Sequence, residues 1–420
     1  MTDQVPSDGR ESLTPAHFTV VGLGTEGDGL VETPWGPVFV PGALPGERVA
    51  ITDGHATGIE FNTNPTRRGQ ALCPHFGRCG GCTLQHMGGD LYHRWKANLL
   101  RDALRTHGIE IVPRPLISVP EASRRRAVLA VRRDGNVIEL GFHERRSQAI
   151  ERLEACVILS PQIMAGLTGI KALAILLLAR KSEARVAVLD TPHGLDIDFA
   201  GAKATFNVDA RTAVVEVANR SRIARISVDG APMLTRAVPA LTMAGVQVVP
   251  PPGAFVQAAA EAETTMVALA AEAAGKSKRV IDLFSGLGTF TFALAARARV
   301  LAIDSDRGLI TALADAVRKA SGLKPVETKV RDLFQDPLSP LELAGIDTVV
   351  FDPPRAGAKA QAEALAKSKV KTVVAISCNP ATLARDLTIL IEGGYSLKSV
   401  TPVDQFLYTP HLEAVAILRR

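Results

Sequence analysis

Arg279-Val280-Ile281-Asp282-Leu283-Phe284-Ser285-Gly286-Leu287-Gly288-Thr289-Phe290 is the stretch whose reading decides the fold. A short apolar run ends at an acidic residue, two glycines make a turn, and an apolar segment of helical character follows. That order reads as strand Arg279–Phe284, turn, and helix Phe290–Arg297. Outward from it the alternation continues: strand Val300–Asp304, helix Arg307–Ala320, strands Val326–Val330 and Asp347–Phe351, helix Ala360–Ser368, strand Thr372–Ser377 and helix Ala381–Glu392. An Ala-rich helix, Ala258–Ala274, precedes the run, and strands near Ser396–Gln405 and Leu412–Leu418 finish it. Alternating buried strands and helices predict an α/β fold with a doubly wound, largely parallel sheet. Ligands on such sheets sit at the carboxyl ends of the strands, where Asp282, Asp304, Asp352 and Cys378 all fall.

The glycine turn lets a ligand approach the backbone, and the helix that follows offers unpaired N–H groups. A plain tight turn would look the same. The full G-x-G-x-x-G spacing expected for a dinucleotide is missing. Asp304, ending the next strand, is placed to accept from both hydroxyls of a ribose. Together these features favour a nucleoside cofactor without a pyrophosphate, and S-adenosylmethionine fits better than NAD.

Cys378 lies in Ile376-Ser377-Cys378-Asn379-Pro380, where an apolar strand gives way to a helix. Upstream stands Asp352-Pro353-Pro354-Arg355. Enzymes that methylate exocyclic amines typically carry Asn-Pro-Pro-aromatic at this place, and a carboxylate cannot supply the amide donor, so adenine N-methylation is disfavoured. A pyrimidine carbon 5 needs activation before it can take a methyl group. A thiolate adding to carbon 6 provides that activation, and a general base must later remove the carbon-5 proton. Cys378 and Glu413 are the candidates for the two roles. Taken singly, each could be an ordinary buried thiol or an ordinary strand-end charge.

The other four cysteines read as one set. Cys73-Pro74-His75-Phe76-Gly77-Arg78-Cys79-Gly80-Gly81-Cys82 gives C-x5-C-x2-C, with Cys156 remote. Zinc ribbons prefer two C-x2-C pairs, and the second pair is absent. Iron–sulfur clusters accept a remote ligand, and small neighbours leave room for sulfides, so a 4Fe–4S cluster is favoured over zinc. With 22 % charged and 46 % hydrophobic residues, the chain has the balance of a soluble globular protein, and no apolar run reaches the length of a membrane span. The segment Met1–Leu13 is polar and acidic and reads as neither a signal nor a transit peptide, so a cytoplasmic location is expected. The net charge is only +5, yet nine arginines stand against five acidic residues between Arg114 and Arg152. A clustered arginine stripe suits an RNA backbone, although a solvated strand face is the plainer reading.

From Phe18 to Gly69 short β-like pieces, Phe18–Leu23, Pro37–Val40 and Arg48–Ile51, are broken by glycine and proline, which suggests a small β-barrel. Gly22, Gly24, Gly27 and Gly29, then Phe39-Val40-Pro41-Gly42 and Leu44-Pro45-Gly46-Glu47, resemble the TRAM module, an OB-like barrel found on RNA-modifying enzymes.

Four blocks in order carry a larger resemblance: Asp282–Gly288, Asp352–Gly357, Ser377–Leu387 and Pro410-His411-Leu412-Glu413-Ala414-Val415. With them the chain resembles, over nearly its whole length, the RNA uracil-5-methyltransferases that make 5-methyluridine in tRNA and 23S rRNA. The resemblance implies a Rossmann-like methyltransferase domain in which Cys378 is the nucleophile and Glu413 the base. Gln257, Phe284, Asp304 and Asp352 would then line the S-adenosylmethionine site, and Cys73, Cys79, Cys82 and Cys156 would match the cluster ligands of the iron–sulfur subgroup. Ser285 and Thr289 stand where the family often has Cys or Asn, Ala259 where Asn is frequent, and Asp304 where Glu is common.

These readings divide the chain into an RNA-binding TRAM-like barrel over 12–70, a central α+β iron–sulfur domain over 71–255 and a methyltransferase domain over 256–420. A helix over 91–107 is expected to pack on the last of these. The stretch 160–240 says least. An RNA substrate is expected, 23S rRNA ahead of tRNA, with no membrane partner and a monomeric protein. Two other readings compete: an RNA-binding or redox-sensing iron–sulfur protein on a degenerate scaffold, and a cytosine carbon-5 methyltransferase. The latter would ask for a second functional cysteine, and none remains once a cluster takes four.

Overall fold

A computed structural model describes residues 15–60, 64–202 and 208–420. The expectations for Met1–Leu13 and for the first residues of the barrel fall outside them. The chain forms two compact units, one made of the chain up to Ala71 with Thr83–Trp95, the other of Leu72–Cys82 with Lys96–Arg420.

The smaller unit is built on five antiparallel strands: β1 (Ala16–Leu23), β2 (Gly29–Thr33), β3 (Gly36–Val40), β4 (Arg48–Thr52) and β5 (His55–Glu60). Their order is β3-β2-β1-β4-β5, and among the described residues no ladder joins β3 to β5. Alternation places Val20, Val31, Val40, Val49 and Ile51 inside, where they bury together with Ala43. Glu47 is fully buried and accepts from the Leu44 amide at 2.8 Å and from Arg67 Nη2 at 2.7 Å. A buried carboxylate is tolerable only with such partners. Strands β2 and β5 have no counterpart among the sequence expectations; glycine at 29 and 58 and polar residues in β5 hid them.

Helix α1 (Gly89–Thr106) starts in the smaller unit and ends in the larger. Its second half buries Leu100 and Leu104 in the core of the last sheet, beside Tyr395 and Val400. The short β6 (Ile117–Ser118) follows, and then a seven-stranded sheet in the order β13-β12-β11-β10-β7-β8-β9. Its strands are β7 (Arg126–Asp134), β8 (Val137–His143), β9 (Ile150–Arg152), β10 (Lys181–Thr191), β11 (Gly194–Ala200), β12 (Ile223–Val228) and β13 (Ala231–Thr235). Helices α2 (Pro161–Leu177) and α3 (Val208–Arg220) contribute to its core. The hairpin of β14 (Leu241–Met243) and β15 (Val246–Val248) leads to the final sheet.

That sheet has eight strands in the order β18-β17-β16-β19-β20-β22-β21-β6. Strands β16 (Arg279–Leu283), β17 (Arg299–Asp304), β18 (Val326–Val330), β19 (Thr348–Phe351) and β20 (Thr372–Ser377) are parallel, and β21 (Ser396–Asp404) and β22 (Glu413–Arg419) close it antiparallel. The helices are α4 (Ala260–Ala274), α5 (Thr291–Ala295), α6 (Arg307–Lys319), α7 (Lys359–Ala366) and α8 (Pro380–Glu392). The central parallel strands are buried on both faces, as their continuous apolar runs require: β19 and nearly all of β20 are inaccessible, whereas the edge strand β18 is exposed. The order of strands reverses beside β16, so a crevice opens above the carboxyl ends of β16, β17 and β19.

Candidate active site

Asp282, near the end of β16, is fully buried. Its Oδ2 accepts from Thr291 Oγ1 at 2.6 Å, while Oδ1 has no hydrogen-bond partner among the described residues. Burial, and next the neighbouring charges of Asp352 and Asp304, push its pKa up to about 7 against the opposing Thr291 bond. Ser285 Oγ is a second buried polar atom with no partner. Orphaned acceptors of this kind are costly unless a ligand answers them.

The turn between them is held from the next strand. Asp304 Oδ2 accepts from the Gly286 amide and Oδ1 from the Asp306 amide, both at 2.9 Å. Gly288 has a φ of +95°, and a Cβ there would lie 2.7 Å from the Phe292 ring. Phe284 holds φ +59°, a region costly for a side chain and found where a site dictates the backbone. Its ring packs at 5.5 Å on Phe334. The cleft thus combines a glycine turn, a carboxylate at the end of the adjacent strand, an aromatic wall and two unanswered oxygens. Those residues fit the nucleoside and the cationic amino-acid end of S-adenosylmethionine.

Cys378 follows β20 directly. Asn379 caps α8 by accepting from the Ala381 amide at 3.1 Å, and Pro380 occupies the first turn, so the chain turns sharply and leaves the thiol at the strand end. Pairing of Ser377 with Ala414 sets Cys378 and Glu413 at the same end of the neighbouring strands β20 and β22. Burial, then the carboxylates of Glu413 and Asp352, push the thiol up to about 11, and Arg355 opposes them. Glu413 is itself buried and raised to about 8, first by desolvation and then by Asp352. Asp352 is raised to about 7 by burial against a bond from Gln257.

Amides link the two carboxylates. Gln257 Nε2 donates to Asp352 Oδ2 at 2.9 Å, and Gln405 Nε2 donates to Gln257 Oε1 at 2.7 Å and to Glu413 Oε1 at 3.0 Å. The structure therefore brings Gln257, Asp352, Cys378 and Glu413 together, with Phe284 and Asp304 along the adjoining cofactor loop. Gln405 was not singled out in the sequence. Its only signal is a buried amide at a strand end, which no motif marks.

Of the four remaining cysteines, all in the larger unit, Cys73, Cys79 and Cys156 lie near one another. Cys79 pairs as an isolated bridge with Glu144, and its Sγ accepts from the Gly81 amide at 3.4 Å. His75 binds Glu151 at 2.7 Å and receives the Glu154 amide at 3.1 Å, stitching the 73–82 loop to the segment before Cys156. Burial raises the Cys79 thiol, and Cys156 and Cys73 are near enough to raise it further; Arg124 lies beside Cys82 and Cys156. Among the described residues no three His, Cys, Asp or Glu side chains stand at the spacing of a single bound metal ion.

The arginine stripe is mostly committed inside the protein. Arg125 binds the Gln257 carbonyl at 3.1 Å and Glu263 at 2.7 Å, and Arg126 binds the Ala254 carbonyl at 3.0 Å. Arg132 and Arg152 share Glu139. Arg133 holds the Gly135 and Leu178 carbonyls. Arg125 and Arg126 brace the start of β7 against the segment leading to Gln257, while Arg114, Arg145, Arg146 and Arg152 stay exposed.

Residues 196–420, more than half of the chain, match the family described as tRNA (uracil-5-)-methyltransferase. An uncharacterized RNA methyltransferase of Agrobacterium fabrum is 43 % identical over 97 % of this chain and 100 % of its own length. The 23S rRNA (uracil(1939)-C(5))-methyltransferase RlmD of Chromohalobacter salexigens is 32 % identical, over 98 % of this chain and 90 % of that one. Among solved structures, the Pyrococcus abyssi tRNA (uracil-54, C5)-methyltransferase in complex with S-adenosyl-L-homocysteine superposes with a TM-score of 0.75 at 22 % identity. The match covers 97 % of this chain and 100 % of that one, a likeness of fold. The chain belongs to the tRNA (uracil-5-)-methyltransferase family, as an S-adenosylmethionine-dependent RNA (uracil-5-)-methyltransferase.

Proposed function

We propose that this enzyme methylates carbon 5 of a uridine in 23S rRNA through a covalent bond between Cys378 and the base. The observation that carries the reading is the placing of Cys378 and Glu413 at the same end of adjacent strands β20 and β22, beside the cofactor loop. S-adenosylmethionine, when bound, supplies an electrophilic methyl group. Cys378 loses its thiol proton to solvent and adds as the thiolate to carbon 6 of the uracil, and the π pair of the carbon 5–carbon 6 double bond moves onto carbon 5, which takes the methyl. Glu413 then removes the proton left on carbon 5, and the sulfur departs as the double bond re-forms. Gln257, Phe284, Asp304 and Asp352 would hold the cofactor. The preference for 23S rRNA rests on the relative named for that substrate, which matches along almost the full chain; tRNA is the alternative.

Cys73, Cys79, Cys82 and Cys156 would hold a 4Fe–4S cluster. Backbone N–H donors to sulfur and small glycine neighbours support this. Such a cluster holds its thiolates farther apart than the ~4 Å separation set by one zinc ion. The five-stranded N-terminal unit is proposed as an RNA-binding, OB-like module, and the protein as a monomer.

The test is direct. Cys378→Ala should lower methyl transfer by at least about a thousandfold, and Glu413→Gln should leave a denaturant-stable protein–RNA adduct. Full activity in Cys378→Ala would remove the mechanism. Mass-spectrometric mapping of 5-methyluridine in rRNA and tRNA from a deletion strain assigns the substrate: loss from 23S rRNA supports the proposal, and loss from tRNA alone selects the alternative.

A further inference from the structure

Glu413 has two carboxylate oxygens with different surroundings. Oε1 accepts from Gln405 Nε2 at 3.0 Å, whereas Oε2 is buried and has no partner among the described residues. A carboxyl group that could turn would exchange them. What prevents the exchange is the amide of Gln405, whose own sense is dictated from outside: its Oε1 faces the Ala259 N–H at 3.4 Å, and its Nε2 faces two oxygens, Gln257 Oε1 at 2.7 Å and Glu413 Oε1. Turning that amide over would set N–H against N–H at Ala259 and oxygen against oxygen at both other contacts. The same bond forces Gln257 to present Nε2 to Asp352, at 2.9 Å.

The backbone beneath Gln405 is clamped as well. Lys96, wholly buried on α1, donates to Asp404 Oδ1 at 2.8 Å, to the Phe406 carbonyl at 3.3 Å and to the His411 carbonyl. Tyr408 Oη donates to Glu121 Oε1 at 2.6 Å. The loop between β21 and β22 is thereby tied at both ends and at its middle.

We propose that Gln405 is a positioning residue for proton removal: it pins Oε1 of Glu413 and leaves Oε2 as the oxygen that takes the proton from carbon 5. The inference rests on the catalytic reading above, in which Glu413 is the base. It separates two steps that the site performs in sequence. Bond formation at Cys378 does not pass through Gln405 and methyl transfer reaches it only indirectly, through Gln257, whereas release of the methylated base depends on it directly.

The test uses the full-length protein, S-adenosylmethionine and a 23S rRNA fragment with wild type as reference. In Gln405→Met, which keeps the volume and loses both donors, first-turnover methylation should stay within about tenfold of wild type. Steady turnover should fall about a hundredfold, the lower end of what a general base contributes. The share of enzyme trapped as methylated covalent adduct should rise correspondingly. Gln405→Glu, similar in size and poorer by one donor, should shift the same ratio in the same direction. A ratio of adduct to product equal to that of wild type in both variants overturns the proposal, whether turnover is unchanged or both quantities fall together as in a loosened fold. If wild type itself gives neither adduct nor 5-methyluridine on rRNA or tRNA, the catalytic reading fails, and the role of Gln405 fails with it.

Discussion

The thiol of Cys378 is held neutral in the free enzyme, since burial and two carboxylates all oppose a negative charge on sulfur. Only the thiolate is alkylated, so the rate of Cys378 modification by iodoacetamide should climb roughly tenfold per pH unit through neutrality and level off only near pH 11. Glu413→Gln removes one of the opposing charges, and the levelling-off should then come at lower pH. Peptide mapping of the alkylated enzyme reads both. A rate already flat at pH 8 in wild type would contradict the electrostatics described for this site. The same argument explains how a reactive cysteine can escape oxidation or alkylation in the free enzyme. Its reactivity belongs to the complex with substrate.

At the scale of elements, the loop between β21 and β22 depends on one residue of α1. Lys96→Met removes the cation from a buried pair and should cost about 3–5 kcal/mol, seen as a lower urea midpoint. A stability equal to wild type would show that the clamp is not formed. Much of the catalytic sheet was legible because its signals are local and repeated. Strand Val326–Val330 and strand Thr372–Ser377 coincide with the expected spans, and α6 differs from expectation by one residue at its end. The central sheet was not legible. Helix α2 is apolar on nearly every side, so it carries no 3.6-residue stripe. Strand β11 hides Asp196 and Asp198 in its interior, where Asp196 is answered by Arg225 at 2.6 Å, a pairing known only once β12 lies alongside. For the candidate site, Cys378, Asp352 and Glu413 stand out in the sequence because each sits in a motif. Gln405 and Lys96 were not, because their importance arises from partners 148 and 308 residues away in the chain.

For the molecule as a whole, the four-cysteine set should declare itself in composition. Protein purified without oxygen should carry about four iron atoms per chain and absorb in the visible, and Cys156→Ser should lose most of both. One zinc ion per chain and no iron would replace the cluster by a zinc site. On the proposed reading the two measurements are separable: iron content would report on the 73–82 loop and Cys156, and methyl transfer on the final sheet.

The order of strands in that sheet carries a consequence for how the protein is made. Strand β22 lies between β20 and β21, although both precede it in the chain. During synthesis β21 can pair with β6, but its place on the other side stays empty until Glu413–Arg419 has left the ribosome. A nascent chain that already exposes Cys378 therefore lacks Glu413 and the two strands that close the sheet beside β20. Cys378 and Glu413 become neighbours only in that late event, once β22 has paired with β20.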